Sequence, residues 1–98
     1  MSFIAVFLYE VEPAATERFS AAYGPDGGWA RFFARGDGYL GTELWRSSTS
    51  GEYLVVDRWT SDAAYETFLH AYEADYRRRS ERSEELYVRE RPIGRFER

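Results

Sequence analysis

The stretch Tyr53-Leu54-Val55-Val56-Asp57-Arg58-Trp59-Thr60-Ser61-Asp62-Ala63-Ala64-Tyr65 runs an apolar strand into the capped start of an amphipathic helix. Tyr53 to Trp59 has the β-branched and aromatic make-up of a buried strand. Thr60 or Ser61 offers a side-chain oxygen to the free N–H groups of a helix's first turn, and Asp62 sets a negative charge at the positive end of its dipole. Trp59 and Tyr65 are therefore expected close together around one strand–helix corner. Val55, Asp57 and Trp59 share one strand parity and should face the same side.

Along that helix, at about 100° per residue, Tyr65, Phe68, Leu69, Tyr72 and Tyr76 form one stripe, the face that packs on a sheet. Arg79 returns to within about 40° of Tyr65, so the stripe is expected to end in a guanidinium. The only histidine, His70, falls about 140° away and should face solvent.

Outward from the corner, Phe3 to Val11 is a strand apolar on both parities, with Phe3, Ala5, Phe7 and Tyr9 on one and Ile4, Val6 and Leu8 on the other. Pro13 suits a first helical turn, with Phe19, Ala22 and Tyr23 as the apolar positions before Gly24-Pro25-Asp26-Gly27-Gly28 stops the helix. That glycine cluster is a break between helices rather than a phosphate nest. Trp29, Phe32 and Phe33 mark a second helical piece, ended by Gly36-Asp37-Gly38 before a strand from Tyr39 to Arg46. The polar turn Ser47 to Glu52 makes a hairpin with Tyr53 to Trp59. Leu86 to Arg91 alternates as a last strand that Pro92 should terminate. The order is βαββαβ, an α+β ferredoxin-like sandwich with an antiparallel sheet, in a single domain over residues 1–98.

Two helices cover only one face of such a sheet, yet the first strand is apolar on both. A second copy of the chain is the economical cover, giving a homodimer whose sheets meet face to face.

Composition removes several chemistries. The 98 residues hold no Cys, and all thirteen basic side chains are Arg; Lys, Asn and Gln are absent. Thiolate nucleophiles, disulfides, Schiff-base lysines and P-loop lysines are thereby excluded. A net charge of −4 argues against nucleic acid as a partner. Arg77-Arg78-Arg79 is flanked by Asp75, Glu81, Glu84 and Glu85 and reads for Arg77 and Arg78 as a solvated helix face. One histidine cannot furnish the usual metal sites. With no apolar run of about eighteen residues and no basic leader, the expectation is a cytoplasmic protein that neither crosses nor binds a membrane.

The Gly38-Tyr39-Leu40-Gly41 strand entry and Asp57-Arg58-Trp59-Thr60-Ser61-Asp62-Ala63-Ala64-Tyr65 resemble the antibiotic biosynthesis monooxygenase superfamily of dimeric α+β barrels. The resemblance covers most of the chain. It implies a pocket between helices and sheet lined by a Trp, a Tyr six residues later and an Arg on the following helix, positions held here by Trp59, Tyr65 and Arg79. It also implies oxidation of a small phenol or hydroquinone, polyketide-like in character, without a cofactor. Phe68, Tyr72 and Val55 would be the substrate contacts. The family pattern has an Asn where this chain has Val55, a departure that favours the rival reading of a non-catalytic ligand-binding or stress-associated barrel. Phe7 or Leu8, Phe68 and Arg78 stand where the haem-degrading branch has its Asn, Trp and His, so haem is not expected.

In the cofactor-free reading, Arg79 would stabilise the substrate anion and Tyr65 and Tyr72 would orient its hydroxyl. The same residues have structural readings: Arg79 paired with Asp57 or Glu43, the phenols as core with a wet tip, Trp59 as plain core. Asp57, if poorly solvated, would have a raised pKa and could take the substrate proton; at an open strand end it would be only a surface charge.

Overall fold

The computed structural model describes residues 2–98. Strand β1 (Phe3–Glu10) leads through a 3₁₀ turn at Pro13–Ala15 into α1 (Thr16–Tyr23), then α2 (Gly28–Phe33). The hairpin of β2 (Tyr39–Arg46) and β3 (Glu52–Trp59) follows, then α3 (Asp62–Ala71), α4 (Glu73–Ser83), a 3₁₀ turn at Glu84–Leu86 and β4 (Arg89–Glu97). All pairings are antiparallel, in the order β2-β3-β1-β4 of a ferredoxin-like sheet.

The expected corner is present. Ser61 is the N-cap of α3, its Oγ accepting from the Ala64 N–H at 3.0 Å, and the Trp59 and Tyr65 rings lie 5.5 Å apart. Gly38, at φ +92°, immediately precedes β2, and its carbonyl accepts from the Thr60 N–H at 2.8 Å. A Cβ there would come within 2.5 Å of Thr60 Oγ1, so only glycine admits this closure.

The sheet's helical face carries an aromatic core. Phe3, Tyr9, Tyr53 and Trp59 rise from the sheet to meet Phe19, Trp29, Phe32, Phe33, Tyr65 and Phe68 from the helices. Burial of each such side chain contributes about 1.5–3 kcal/mol. On the opposite face, Leu8 pairs with Leu54 and Val6 with Val56 in the middle of the sheet, flanked by Trp45 and Phe96, which are 60% and 50% exposed.

Three expectations need correction. Leu86 closes the 3₁₀ turn and is not in the last strand, which begins at Arg89. The last strand does not stop at Pro92 but runs on to Glu97, because β4 is an edge strand and Pro92 sits beside a bulge in the β1 pairing, where no ladder N–H is required. The long helix breaks at Tyr72, whose φ of −114° and ψ of 29° leave the helical range, so α3 and α4 do not share one helical wheel.

Candidate active site

Asp57 is 4% exposed, on the helical face of β3 beside Val55, as its parity required. Its register partner on β2 is Thr42, whose hydroxyl donates to Asp57 Oδ1 at 2.7 Å. That hydroxyl is itself 2.6 Å from the Tyr39 phenol. Among the described residues no cation pairs with Asp57: Arg58 turns to the other face and binds Glu43 at 2.6 Å. Burial outweighs the Thr42 hydrogen bond and pushes the Asp57 carboxyl up to about 6.

Asp57, Val55 and Thr42 open into a chamber of about 30 Å³, walled by Phe7, Tyr9, Tyr23, Trp29, Phe33 and Tyr76 and edged by Ser80, Tyr87 and Glu90. That is room for one or two waters, not for a substrate. The Tyr9 phenol donates to Glu90 Oε2 at 2.6 Å and ties β1 to β4 at its rim. Desolvation raises the pKa values of the Tyr9, Tyr23, Tyr65 and Tyr76 phenols, which keeps them as neutral hydrogen-bonding groups.

Phe7 and Tyr76 also line a second, larger space of about 470 Å³, a groove between α3–α4 and β4 bounded by Val6, Tyr65, Leu69, Glu73, Pro92, Gly94 and Arg95. Its volume falls within the usual range for small-molecule sites. Arg95 stands over the Tyr65 ring at 5.0 Å and is held by Asp62 and Glu66. The two spaces lie on either side of a wall that Phe7 and Tyr76 share.

The structure divides the residues singled out in the sequence. Asp57 and Val55 line the chamber, and Tyr65 lines the groove. Trp59 lines neither: it is fully buried against Phe33, Tyr39, Tyr65 and Phe68, with ring centres 5.3–5.8 Å away. Its indole N–H has no hydrogen-bond partner. The expected space between Trp59 and Arg79 is therefore occupied by the chain's own rings.

Phe68 and Tyr72 pack on one another with ring centres 4.8 Å apart, and both meet the Phe32 ring edge-on. Arg79 is not at the chamber. Its guanidinium lies over the Phe32 ring at 4.6 Å, on α4, which the break at Tyr72 separates from α3. Neither Asp57 nor Glu43 pairs with it. His70 is exposed.

Thr42, Tyr76, Ser80, Tyr9 and Glu90 were not singled out as site residues. Thr42 was within reach, since the hairpin register sets it opposite Asp57. Tyr9 and Glu90 meet across eighty-one residues of chain, which no local pattern reports. Among the described residues no three His, Cys, Asp or Glu side chains gather where they could hold a metal ion, and no helix is long and apolar enough to cross a membrane.

The family model for antibiotic biosynthesis monooxygenase matches residues 2–77. The chain belongs to the antibiotic biosynthesis monooxygenase family. Solved members share its architecture. The N63A variant of SnoaB, a cofactor-independent oxygenase from Streptomyces nogalater, superposes with a TM-score of 0.74 at 22% identity, over 99% of this chain and 92% of its own. The ActVA-Orf6 monooxygenase of Streptomyces coelicolor, in complex with nanaomycin D, gives 0.73 at 20% identity, over 99% and 87%. A Bordetella bronchiseptica protein described as a putative antibiotic biosynthesis monooxygenase gives 0.72 at 19%, over 99% and 96%. At these identities the likeness establishes the shared fold. No curated protein sequence matches the chain.

Proposed function

We propose that this chain is a cofactor-independent monooxygenase of a small phenol or hydroquinone, with Asp57 as the base. The observation that carries this reading is a carboxylate, buried without a cation, facing an aromatic-walled chamber next to a ligand-sized groove. Membership of the monooxygenase family supports the reaction class.

The flat ring system occupies the groove against Tyr65, Leu69 and Phe7. Rotation of the Phe7 or Tyr76 side chain joins groove to chamber and brings the substrate hydroxyl to Asp57. A carboxylate with a pKa near 6 is a stronger base than an ordinary aspartate and is mostly ionised at neutral pH. It takes the acidic proton. The anion then bonds through a ring carbon to one oxygen atom of dioxygen; the other oxygen leaves as water with the two hydrogens the substrate gives up, and the carbon becomes a quinone carbonyl. Tyr76 and Tyr65 donate to the developing oxyanion. Trp59, locked among four rings, is the rigid back of the corner that sets Tyr65. Val55 contacts the substrate as an apolar wall in place of the family's Asn, while Phe68, Tyr72 and Arg79 act through packing.

The same reading includes a homodimer joined through the open face of the sheet, where Leu8, Leu54, Trp45 and Phe96 lie.

The test is oxygen uptake with an anthrone or a naphthohydroquinone, without added flavin or metal. Wild type is expected to turn over, Asp57→Asn to lose activity by about 10²-fold or more, and Tyr65→Phe to be intermediate. Binding of the aromatic without oxygen uptake would instead establish a non-catalytic ligand-binding barrel.

A further inference from the structure

We infer that Tyr39 and Thr42 form a proton relay connecting Asp57 to the outer edge of the sheet. The geometry is a continuous line of three oxygen atoms. The Tyr39 phenol is 2.6 Å from Thr42 Oγ1, and Thr42 Oγ1 is 2.7 Å from Asp57 Oδ1. Thr42 has one hydroxyl hydrogen, which it gives to the carboxylate, so its oxygen accepts from Tyr39. Asp57 and Thr42 are 4% and 8% exposed, whereas Tyr39 is half-buried at the start of β2, an edge strand. The line thus runs from the buried carboxylate to a half-buried phenol on an edge strand.

The inference rests on the reading of Asp57 as a base, and it meets a need that reading creates. The proton taken in turnover departs with the second oxygen as water, but Asp57 must be ionised when substrate arrives, and a proton it still holds then has to leave a chamber with room for only one or two waters while substrate covers the groove side. With Asp57 protonated, the hydrogen bonds reverse: the carboxyl donates to Thr42, Thr42 to Tyr39, and Tyr39 to water. One concerted shift then moves a proton along each link. Asp57 becomes a carboxylate, water takes the Tyr39 proton, and both hydroxyls end neutral with their hydrogens pointing inward again. No other co-reactant is required.

The remaining groups around Asp57 do not duplicate this line. Tyr76 and Ser80 approach from α4, Tyr65 from α3, Tyr9 from β1, Tyr23 from α1, Tyr87 from the segment before β4, and Glu90 from β4. Tyr9 is engaged with Glu90, and Tyr76 and Tyr65 lie on the groove side that substrate fills. Only Thr42 hydrogen-bonds Asp57 among the described residues.

The experiment reads proton exchange on Asp57 directly, in the ligand-free full chain. Carboxyl-¹³C-labelled aspartate is followed by NMR across the Asp57 titration, with Asp57→Asn assigning the signal. Tyr39→Phe removes the outer link without touching Asp57. It is expected to leave the midpoint nearly in place but slow exchange by about tenfold or more, broadening or splitting the line. Thr42→Val should slow exchange and also move the midpoint up, and Thr42→Ser should restore both. A purely structural role for Tyr39 predicts altered folding with unaltered exchange. Wild-type exchange in folded Tyr39→Phe overturns the relay, since protons would then reach Asp57 by another route. Because no substrate is present, a failure of the oxygenase reading would appear separately, as absent oxygen uptake in wild type.

Discussion

The guanidinium carbon of Arg79 lies 4.6 Å from the centre of the Phe32 ring, and neither residue lines the Asp57 chamber. Arg35 also reaches that ring, at 5.6 Å, so two cations share one aromatic ring. Their mutual repulsion adds to burial in lowering the Arg79 pKa, the sign of a cation placed for packing rather than drawn in by an acid.

Arg79→Met is therefore expected to keep the hydrocarbon contact and lose the cation–π attraction, about 0.5–1 kcal/mol at such a site. Turnover should fall by less than about tenfold. Thermal unfolding beside steady-state oxygen uptake checks this. A larger loss of turnover at unchanged stability would bring the guanidinium back to the substrate.

Asp57 makes stability fall as pH rises. Below about pH 4 the carboxyl is protonated in both folded and unfolded chains and contributes no pH dependence. Between that point and about 6 the folded protein keeps a proton that the unfolded chain has released, so raising the pH favours unfolding; above the folded pKa the full penalty is present. A shift of this size corresponds to a loss on the order of 3 kcal/mol. In Asp57→Asn this part of the pH dependence should vanish, leaving the variant more stable than wild type at pH 8. Urea midpoints from pH 4.5 to 8 measure it. Identical slopes in the two proteins would show that Asp57 is solvated.

The fold was legible because its signals are local and repeated. β-branched runs, glycine breaks and the Ser61 cap each mark an element boundary, and the order of those elements gives the βαββαβ arrangement. The parity of Asp57 with Val55 likewise put a carboxylate inside. What stayed hidden depends on angles that local pattern does not encode. Nothing in His70-Ala71-Tyr72-Glu73 is a helix breaker; the faint signal is Glu73 and Asp75, acids suited to a new first turn. Carrying the wheel through that break sent Arg79 to the wrong place. Pro92 misled for the opposite reason, since a strong local stop is harmless on an edge strand. The rim pair Tyr9 and Glu90 depends on β1 lying beside β4, which only the full topology shows.

Gly36 sits where the rings around Trp59 leave no room. A Cβ there would lie 2.5 Å from Phe68 Cδ1 and 3.1 Å from Trp59 Cζ3. Gly36→Ala should destabilise the protein by about 1–3 kcal/mol, the usual cost of overpacking. Chemical denaturation supplies the value. A neutral result would mean that the Trp59 cluster is loose enough to admit a ligand after all, restoring the chamber that the sequence suggested there.

The open sheet face sets the last prediction. Leu54 pairs with Leu8 on one side and Trp45 on the other, so it lies within an apolar patch whose exposed members include Trp45 and Phe96. Charged groups border that patch: Arg58 is paired with Glu43, and Arg91, Arg89, Glu10 and Glu52 gather beside Leu8 at one end of the face, where they would form the polar rim of a contact. Two such faces closing on each other would bury an area on the order of 1,200–2,000 Å², the range of stable dimers. Leu54→Arg would put an unpaired cation within each face and a like charge opposite it in the partner, a penalty of several kcal/mol. Wild type is accordingly expected to run as a dimer by light scattering at micromolar concentration, and Leu54→Arg as a folded monomer with unchanged far-ultraviolet dichroism. A monomeric wild type would remove the dimer, while a dimeric Leu54→Arg would move the interface to another surface. The Asp57 chamber opens on the opposite face of the sheet, so the monomeric variant should retain the pH-dependent stability of Asp57, which separates the assembly from the chemistry.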